Sequence, residues 1–236
     1  TRPWKLGVIN LETSEINKKV ELVKLNEDST RQLEKNAISK MKGVKDEGEL
    51  KRQASEFHED IVSRGLENMQ TIPLLLMYIT CLWCNKIPIG NSKLEVYINI
   101  IEYLLSRTVK KHPDVHPSSE TSQSDIPEFF KKSTCKERKC VRPNCEKHKH
   151  KYCQMFYSLL TLLSKLAYRT LYNESRENTL VFDQWVADEY LEADDMTLSL
   201  LSGILTGSTT RTLMEESSKV SFSHKTVQEF FAALFI

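Results

Sequence analysis

The sequence predicts a mainly α chain: a helical unit, a polar insertion, then a second helical unit that carries a small β-hairpin and a closing helix. Three observations predict it. Apolar residues recur at spacings of three and four in most of the segments that contain them. Strand-like patterning is confined to a run ending at Leu25 and to residues 211–222. Apolar periodicity is lost between Lys110 and Lys151, where Pro, Ser, Thr, His, Lys and Arg dominate.

Val20-Glu21-Leu22-Val23-Lys24-Leu25 alternates apolar and charged residues and reads as a half-buried strand. Asn26, Glu27 and Asp28 then supply N-cap chemistry for a helix whose face holds Leu33, Ala37, Ile38 and Met41, closed by the charged, glycine-punctuated loop from Lys42 to Gly48. A second helix from Glu49 places Ala54, Phe57, Ile61 and Val62 inward and stops near Gly65. Pro73 sits where a missing N–H costs nothing, at the first turn of the apolar helix Leu74 to Cys84. That helix is apolar nearly all round, so it is predicted to be buried. Ser92 and Glu95 have capping-box spacing, and Leu94, Tyr97, Ile98, Ile101, Leu104 and Leu105 form the inward stripe of the helix that ends this unit near Arg107.

The Lys110–Lys151 stretch has too few apolar residues to offset its ordering entropy and reads as a basic insertion or linker. Helical periodicity resumes with Met155, Phe156, Leu159, Leu162, Leu163, Leu166 and Ala167, then in Asp183 to Leu191, then in Leu198, Leu201, Ile204 and Leu205. Arg211–Met214 and Lys219–Phe222 read as two strands joined by the polar turn Glu215 to Ser218, and a last helix opens at Ser223. Helices, hairpin and closing helix together have the order of a winged helix. No repeat is visible at solenoid periods.

Charge and cysteine usage exclude several classes. Lys+Arg 33 against Asp+Glu 32 leaves +1, so no global field recruits nucleic acid or an acidic membrane. The longest apolar run, Ile72 to Cys84, is shorter than the roughly 20 residues of a bilayer span, and no basic n-region with a cleavage site precedes it in this sequence. We therefore expect a soluble, cytoplasmic protein without a membrane span. Six cysteines in a chain with a core of its own fit a reducing compartment better than a disulfide scaffold. The opening Thr1-Arg2-Pro3-Trp4 and the apolar closing residues Phe230 to Ile236 lead us to expect a fragment of a longer polypeptide.

Few residues point to chemistry by themselves. His224 lies at or just before a helix N-terminus, where N–H groups and the helix dipole attract anions, although a capping or surface histidine is the ordinary reading. Cys135, Cys140, Cys145, His148, His150 and Cys153 are of the right type and number for tetrahedral zinc. Their spacing lacks a C-x2-C knuckle, so a reduced basic loop is the preferred reading and zinc the lesser one. Cys81 and Cys84 form C-x-x-C inside a buried helix and read as core, while Asp194 and Asp195 read as helix caps.

The stretch Val220-Ser221-Phe222-Ser223-His224-Lys225-Thr226-Val227-Gln228-Glu229-Phe230-Phe231-Ala232-Ala233 closely resembles the F-x-H-x-T-x-Q-E-F-x-A-A end of winged-helix domains in NACHT proteins, the nucleotide switches of animal NOD-like receptors. Thr1-Arg2-Pro3-Trp4 resembles the sensor-1 end of a NACHT core strand, Ile72-Pro73 the helical-domain proline that packs on adenine, and Lys93 to Tyr97 the opening of the next helix. The resemblance implies the last edge of an α/β nucleotide-binding core over residues 1–25, a helical domain over 26–109, the basic Cys/His insertion over 110–153 and a winged-helix domain over 154–236. It implies nucleotide contacts for three residues: Arg2 at the γ-phosphate, Pro73 on the base and His224 at the β-phosphate of ADP.

The function implied by the resemblance is that of an ADP/ATP switch, with Mg in the intact parent, that controls self-association in innate-immune or cell-death signalling and answers to sensor and effector domains of the same chain. The chain has no G-x-x-x-x-G-K-[ST] loop and no acidic Walker-B strand, so alone it is not expected to hydrolyse ATP, whereas slow ATP hydrolysis by the intact parent stays open. Two other readings stay open. One is a nucleic-acid-binding winged helix with a zinc-assisted basic loop, disfavoured by an apolar closing helix. The other is a helical interaction scaffold without nucleotide binding.

Overall fold

The computed structural model describes residues 25–116, 126–131, 150–172, 180–211 and 216–236. Among them the chain is mainly helical with one small antiparallel sheet, the class that the apolar periods predict. The predicted strand before Leu25, and Arg2 with it, lies outside the described residues.

The first half is a stack of capped helices. In α1 (Glu27–Lys42) the Asn26 side chain accepts the Ser29 N–H at 2.8 Å, and Gly43, at φ 68°, supplies the left-handed turn that ends it. The next helix, α2 (Glu47–Ser63), starts earlier than Glu49 because Asp46 is its cap, accepting the Glu49 N–H at 2.7 Å. Ala54, Phe57 and Ile61 are buried as predicted, but Val62 is 44% exposed: one residue past Ile61 the helix has turned by about 100°. After the single turn α3 (Glu67–Gln70) comes α4 (Pro73–Cys84), with Leu75, Leu76, Ile79, Thr80 and Leu82 buried.

Ser92 caps α5 (Lys93–Lys111), accepting the Glu95 N–H at 3.2 Å, while the Glu95 carboxylate reaches back to the Asn91 N–H at 2.7 Å. Leu94, predicted inward, is on the outside, and Val96 takes the core position in its place. The helix also runs past Arg107 to Lys111.

The polar insertion is only partly a loop. Ile126 and Phe130 are buried, Phe130 within the short helix α6 (Glu128–Lys131), so two of its few apolar residues join the core. His150 and Cys153, at the other end of the insertion, are buried as well. Cys153 belongs to α7 (Lys151–Met155), whose N-terminus is capped from a neighbouring helix: Glu102 of α5 accepts the N–H groups of Tyr152 and Cys153 at 3.1 and 2.8 Å. Phe156, fully buried, separates α7 from α8 (Tyr157–Leu171), and Met155, predicted inward, lies outside.

The second half differs from expectation in its strands. Asp183 ends a strand, β1 (Val181–Asp183), and the helix read from there is the short α9 (Gln184–Asp188). The next helix, α10 (Ala193–Ser202), holds Asp194 and Asp195 in its first turn; its N-cap is Glu192, so neither aspartate is the cap that the sequence predicted. Gly203, at φ 76°, stops α10, which moves Ile204 and Leu205 out of the predicted helix. Leu205 opens β2 (Leu205–Arg211), so the first hairpin strand lies upstream of Arg211–Met214. Its partner is β3 (Glu216–Phe222), and the sheet order is β1-β3-β2, all antiparallel: the predicted hairpin with a third strand added at its edge.

The last helix, α11 (Lys225–Phe235), buries Val227, Gln228, Phe230, Phe231 and Ala232 and packs along α8. One continuous apolar core runs from Ile38 in α1 to Ala232 in α11. Among the described residues no helix is long and apolar enough to cross a membrane.

Candidate functional site

His224 is set by its two neighbours. The Ser223 N–H donates to the Ile204 carbonyl at 2.9 Å, which pins the end of β3, and α11 starts one residue beyond His224. His224 itself is extended (φ −153°, ψ 152°), and its carbonyl accepts the first helical N–H groups, those of Val227 and Gln228. Its side chain is the N-cap: Nδ1 accepts the Thr226 N–H at 3.2 Å and lies 2.9 Å from the Thr226 hydroxyl. A backbone N–H can only donate, so Nδ1 carries no proton and the neutral ring holds its proton on Nε2. The cap therefore fixes a tautomer, which the sequence pattern did not reveal.

Pro73 occupies the first position of α4, preceded by Ile72 in the extended conformation that proline imposes on its neighbour (φ −104°, ψ 110°). Pro73 is exposed. Between the starts of α4, α5 and α11 lies a cleft of about 330 Å³, walled by Ile72, Leu75, Tyr97, Thr226 and Phe230, with Lys93 and Glu229 among its polar lining. Ile72 adjoins Pro73, and Thr226 is bonded to His224. The two positions thus flank one cleft through their immediate neighbours, although they are far apart in sequence.

Tyr97 joins the two halves across this cleft. Its ring stacks on Phe230 at 4.9 Å with an interplanar angle of 18°, and it lines the cleft together with Thr226. Burial pushes its phenol up from the ordinary value, and the contact with Thr226 pulls it partly back.

A second cavity, of about 290 Å³, opens beside the starts of α1 and α3, with Thr30, Arg31, His58, Glu67, Gln70 and Thr71 on its wall. Behind it is a buried polar cluster that no sequence motif marks. Glu34 is fully buried and accepts from the Gln70 amide at 2.6 Å, its Oε1 is 3.7 Å from His58 Nδ1, and its Oε2 has no hydrogen-bond partner. Burial, the largest influence, raises the Glu34 pKa, against the lowering effect of His58 and Arg31. The signal that could have found it is positional: Glu34 falls within the stripe of Thr30, Ala37 and Ile38 that α1 buries.

The cysteines within the described residues sit among packing contacts. Cys81 and Cys84 are half-buried, Cys81 lies 3.7 Å from the Met41 sulfur, and burial pushes both thiols up, as expected for core cysteines. Cys153 is raised further, by complete burial first and by the Glu102 carboxylate second. Of the six zinc candidates, Cys135, Cys140, Cys145 and His148 lie outside the described residues, as does Arg2 of the nucleotide candidates. Among the described residues no group of three or more His, Cys, Asp or Glu side chains converges.

The fold and the cleft define a mainly α protein with a small antiparallel sheet and an interhelical cleft at which three helix starts meet. Compared with protein-family models, with curated proteins and with solved structures, the chain matches none.

Proposed function

We propose that this chain is the lid and latch of a NACHT-type ATP/ADP switch, in which Pro73 closes over the base, His224 holds the β-phosphate of ADP, and release of the second half lets the parent protein self-associate. The observation that carries the reading is the state of His224: an imidazole capped through Nδ1 at a helix start, with its proton on Nε2, is a donor suited to a phosphate oxygen. That Ile72, beside Pro73, and Thr226, bonded to His224, line one cleft adds support. In this reading the chain contributes recognition and no turnover, since the motif that cradles phosphates is not in it. Self-association, and sensor and effector domains in the same parent, belong to the proposal, as does a role in innate-immune or cell-death signalling.

The nucleic-acid alternative is weakened by how α11 is used. A recognition helix needs a polar, basic free face, whereas α11 packs Val227, Gln228, Phe230, Phe231 and Ala232 inward and offers only Lys225 and Glu229 as exposed charges. The test is nucleotide content. In the full-length protein, His224→Leu should lower the ADP released on denaturation by at least about tenfold, the effect of roughly 1.4 kcal/mol of lost binding, and should shift light-scattering mass above the monomer. Unchanged ADP together with an unchanged mass would sink the proposal; salt-sensitive capture of DNA or RNA would favour the alternative.

A further inference from the structure

The second cavity shares no lining residue with the cleft between α4, α5 and α11. Both border α3, but Glu67 and Gln70 line this cavity, whereas Asn68 and Met69 line the cleft. Leu25 is the one apolar side chain on its wall; the others are polar or charged. Gln70 and His58 line the cavity and also face Glu34, so the buried carboxyl stands one side chain behind the wall. Both approach Oε1, at 2.6 and 3.7 Å, which leaves Oε2 to another donor.

No charged group is seated on that carboxyl. Arg31 is bonded to Glu27 at 3.4 Å, and the His58 ring nitrogen is outside hydrogen-bond reach. Glu34 Oε2 and His58 Nδ1 have no hydrogen-bond partner among the described residues. A buried carboxylate in this condition costs the fold stability, and a glutamine would keep an oxygen for Gln70 without that cost. A charge held where a neutral group would pack as well marks a place built to meet a ligand. The surroundings set the sign of that ligand: the carboxylates of Glu27, Glu34 and Glu67 stand against the single guanidinium of Arg31. A volume of about 290 Å³ admits only a small one.

We infer that this cavity binds a small organic cation, a primary ammonium or guanidinium group on a short apolar stem, whose N–H groups bond Glu34 Oε2 and His58 Nδ1 while the stem lies along Leu25. An ammonium carries enough donors for both atoms, and His58 Nδ1 accepts in the tautomer with its proton on Nε2. The head group passes between Gln70 and His58, and its charge makes the bond to the carboxylate stronger than a neutral donor would. This site belongs to the first half of the chain and does not depend on the nucleotide reading.

The probe is butylammonium chloride, titrated into the 236-residue chain and followed by ¹H–¹⁵N NMR at the Gln70 side-chain amide and the His58 ring. A ligand of so few heavy atoms should bind with a Kd on the order of 1 mM. Glu34→Gln should weaken binding by about tenfold or more, because the charged acceptor is gone. Tetramethylammonium, which has the charge but no N–H, and butyrate, which has a stem but the opposite charge, should leave both signals in place. Signals that butylammonium does not move would overturn the inference, as would equal shifts with tetramethylammonium or an affinity that Glu34→Gln leaves unchanged. Should Glu34→Gln fail to fold, the two control ions decide. No nucleotide is read in this titration, so its failure and the failure of the switch reading are separate results.

Discussion

At one end of the core a carboxylate, Glu34, is shut away between α1, α2 and α3, with one oxygen taken by Gln70 and the other without a partner. Between α8 and α11, at the other end, the buried polar contact is neutral: the Gln228 amide donates to the Thr170 hydroxyl at 2.8 Å, and Thr170 in turn donates to the Leu166 carbonyl at 2.8 Å. The first arrangement can change charge and the second cannot. Buried neutral groups behave as part of the packing, whereas a buried carboxyl group ties local stability to pH and to the groups around it. The α8–α11 end is therefore where packing should dominate, and the α1–α3 end where protonation should show.

The most severe way to break that contrast is to remove packing from the neutral end. Phe231 is fully buried between Phe230 and Phe222, with ring centroids 5.4 and 6.0 Å away. Phe231→Ala should cost about 3–5 kcal/mol, read by urea or thermal unfolding. The cost should be the same at acid and neutral pH, and a strong pH dependence would show that the neutral end is less neutral than its contacts imply.

The charged end makes the opposite prediction. Glu34 has its pKa raised in the folded state, chiefly by burial, so folding binds a proton more tightly than the unfolded chain does. The stability it allows is fully present below the unfolded pKa, near the ordinary carboxylate value, and is lost as pH rises through the higher folded one. His58 from α2, Arg31 from α1 and the Gln70 amide from α3 all face the carboxyl and limit the loss. Glu34→Gln keeps an oxygen for Gln70 and removes the charge, so it should be more stable than wild type by on the order of 1 kcal/mol at neutral pH, and equal to it in acid. Glu102, also raised by burial, acts with the same sign in both proteins and cancels in the difference. Parallel stability profiles for the two proteins between acid and neutral pH would refute the assignment.

This contrast also explains what could be read from the sequence. The helices were legible where a cap and an apolar period agree, as at Asn26, Pro73, Ser92 and the start of α11, because both signals are local. Strand positions were legible only in part: Lys219–Phe222 falls within β3, but Ile204 and Leu205 continue the apolar period of α10, and only the left-handed Gly203 and the pairing of Leu205 with Phe222 take Leu205 into the sheet. Val181 to Asp183 is too short to carry a period, and its strand exists because β3 has an edge to pair with. At the candidate site the helix-start positions of Pro73 and His224 were legible from neighbouring residues. The stack of Tyr97 on Phe230 was not, because it joins residues that only tertiary packing brings together.

A milder change sharpens the comparison at the seam between the ends. Ser92 caps α5, the helix that carries both Glu102 and Tyr97, and Ser92→Ala should cost about 1 kcal/mol by thermal unfolding. Because the cap is exposed and carries no charge, the loss should be uniform with pH. A cost that appeared only at neutral pH would place part of the charged end's behaviour in α5.

The smallest effect is expected at two positions whose apolar side chains match the helical period but miss the core. Leu94 and Val62 are each 44% exposed, one on α5 and one on α2. Burial, and not membership of an apolar pattern, sets the cost of losing an apolar side chain, because only surface removed from water contributes. Leu94→Ser and Val62→Ser should therefore each change stability by no more than about 0.5 kcal/mol, against several for Phe231→Ala. Serine also has a slightly lower helix propensity than leucine, so the residual loss should be similar in size to that propensity difference and independent of pH. A loss above about 2 kcal/mol at Leu94 would mean that its face of α5 is covered in solution, and the stripe predicted from the sequence would then describe a second packed surface on that helix.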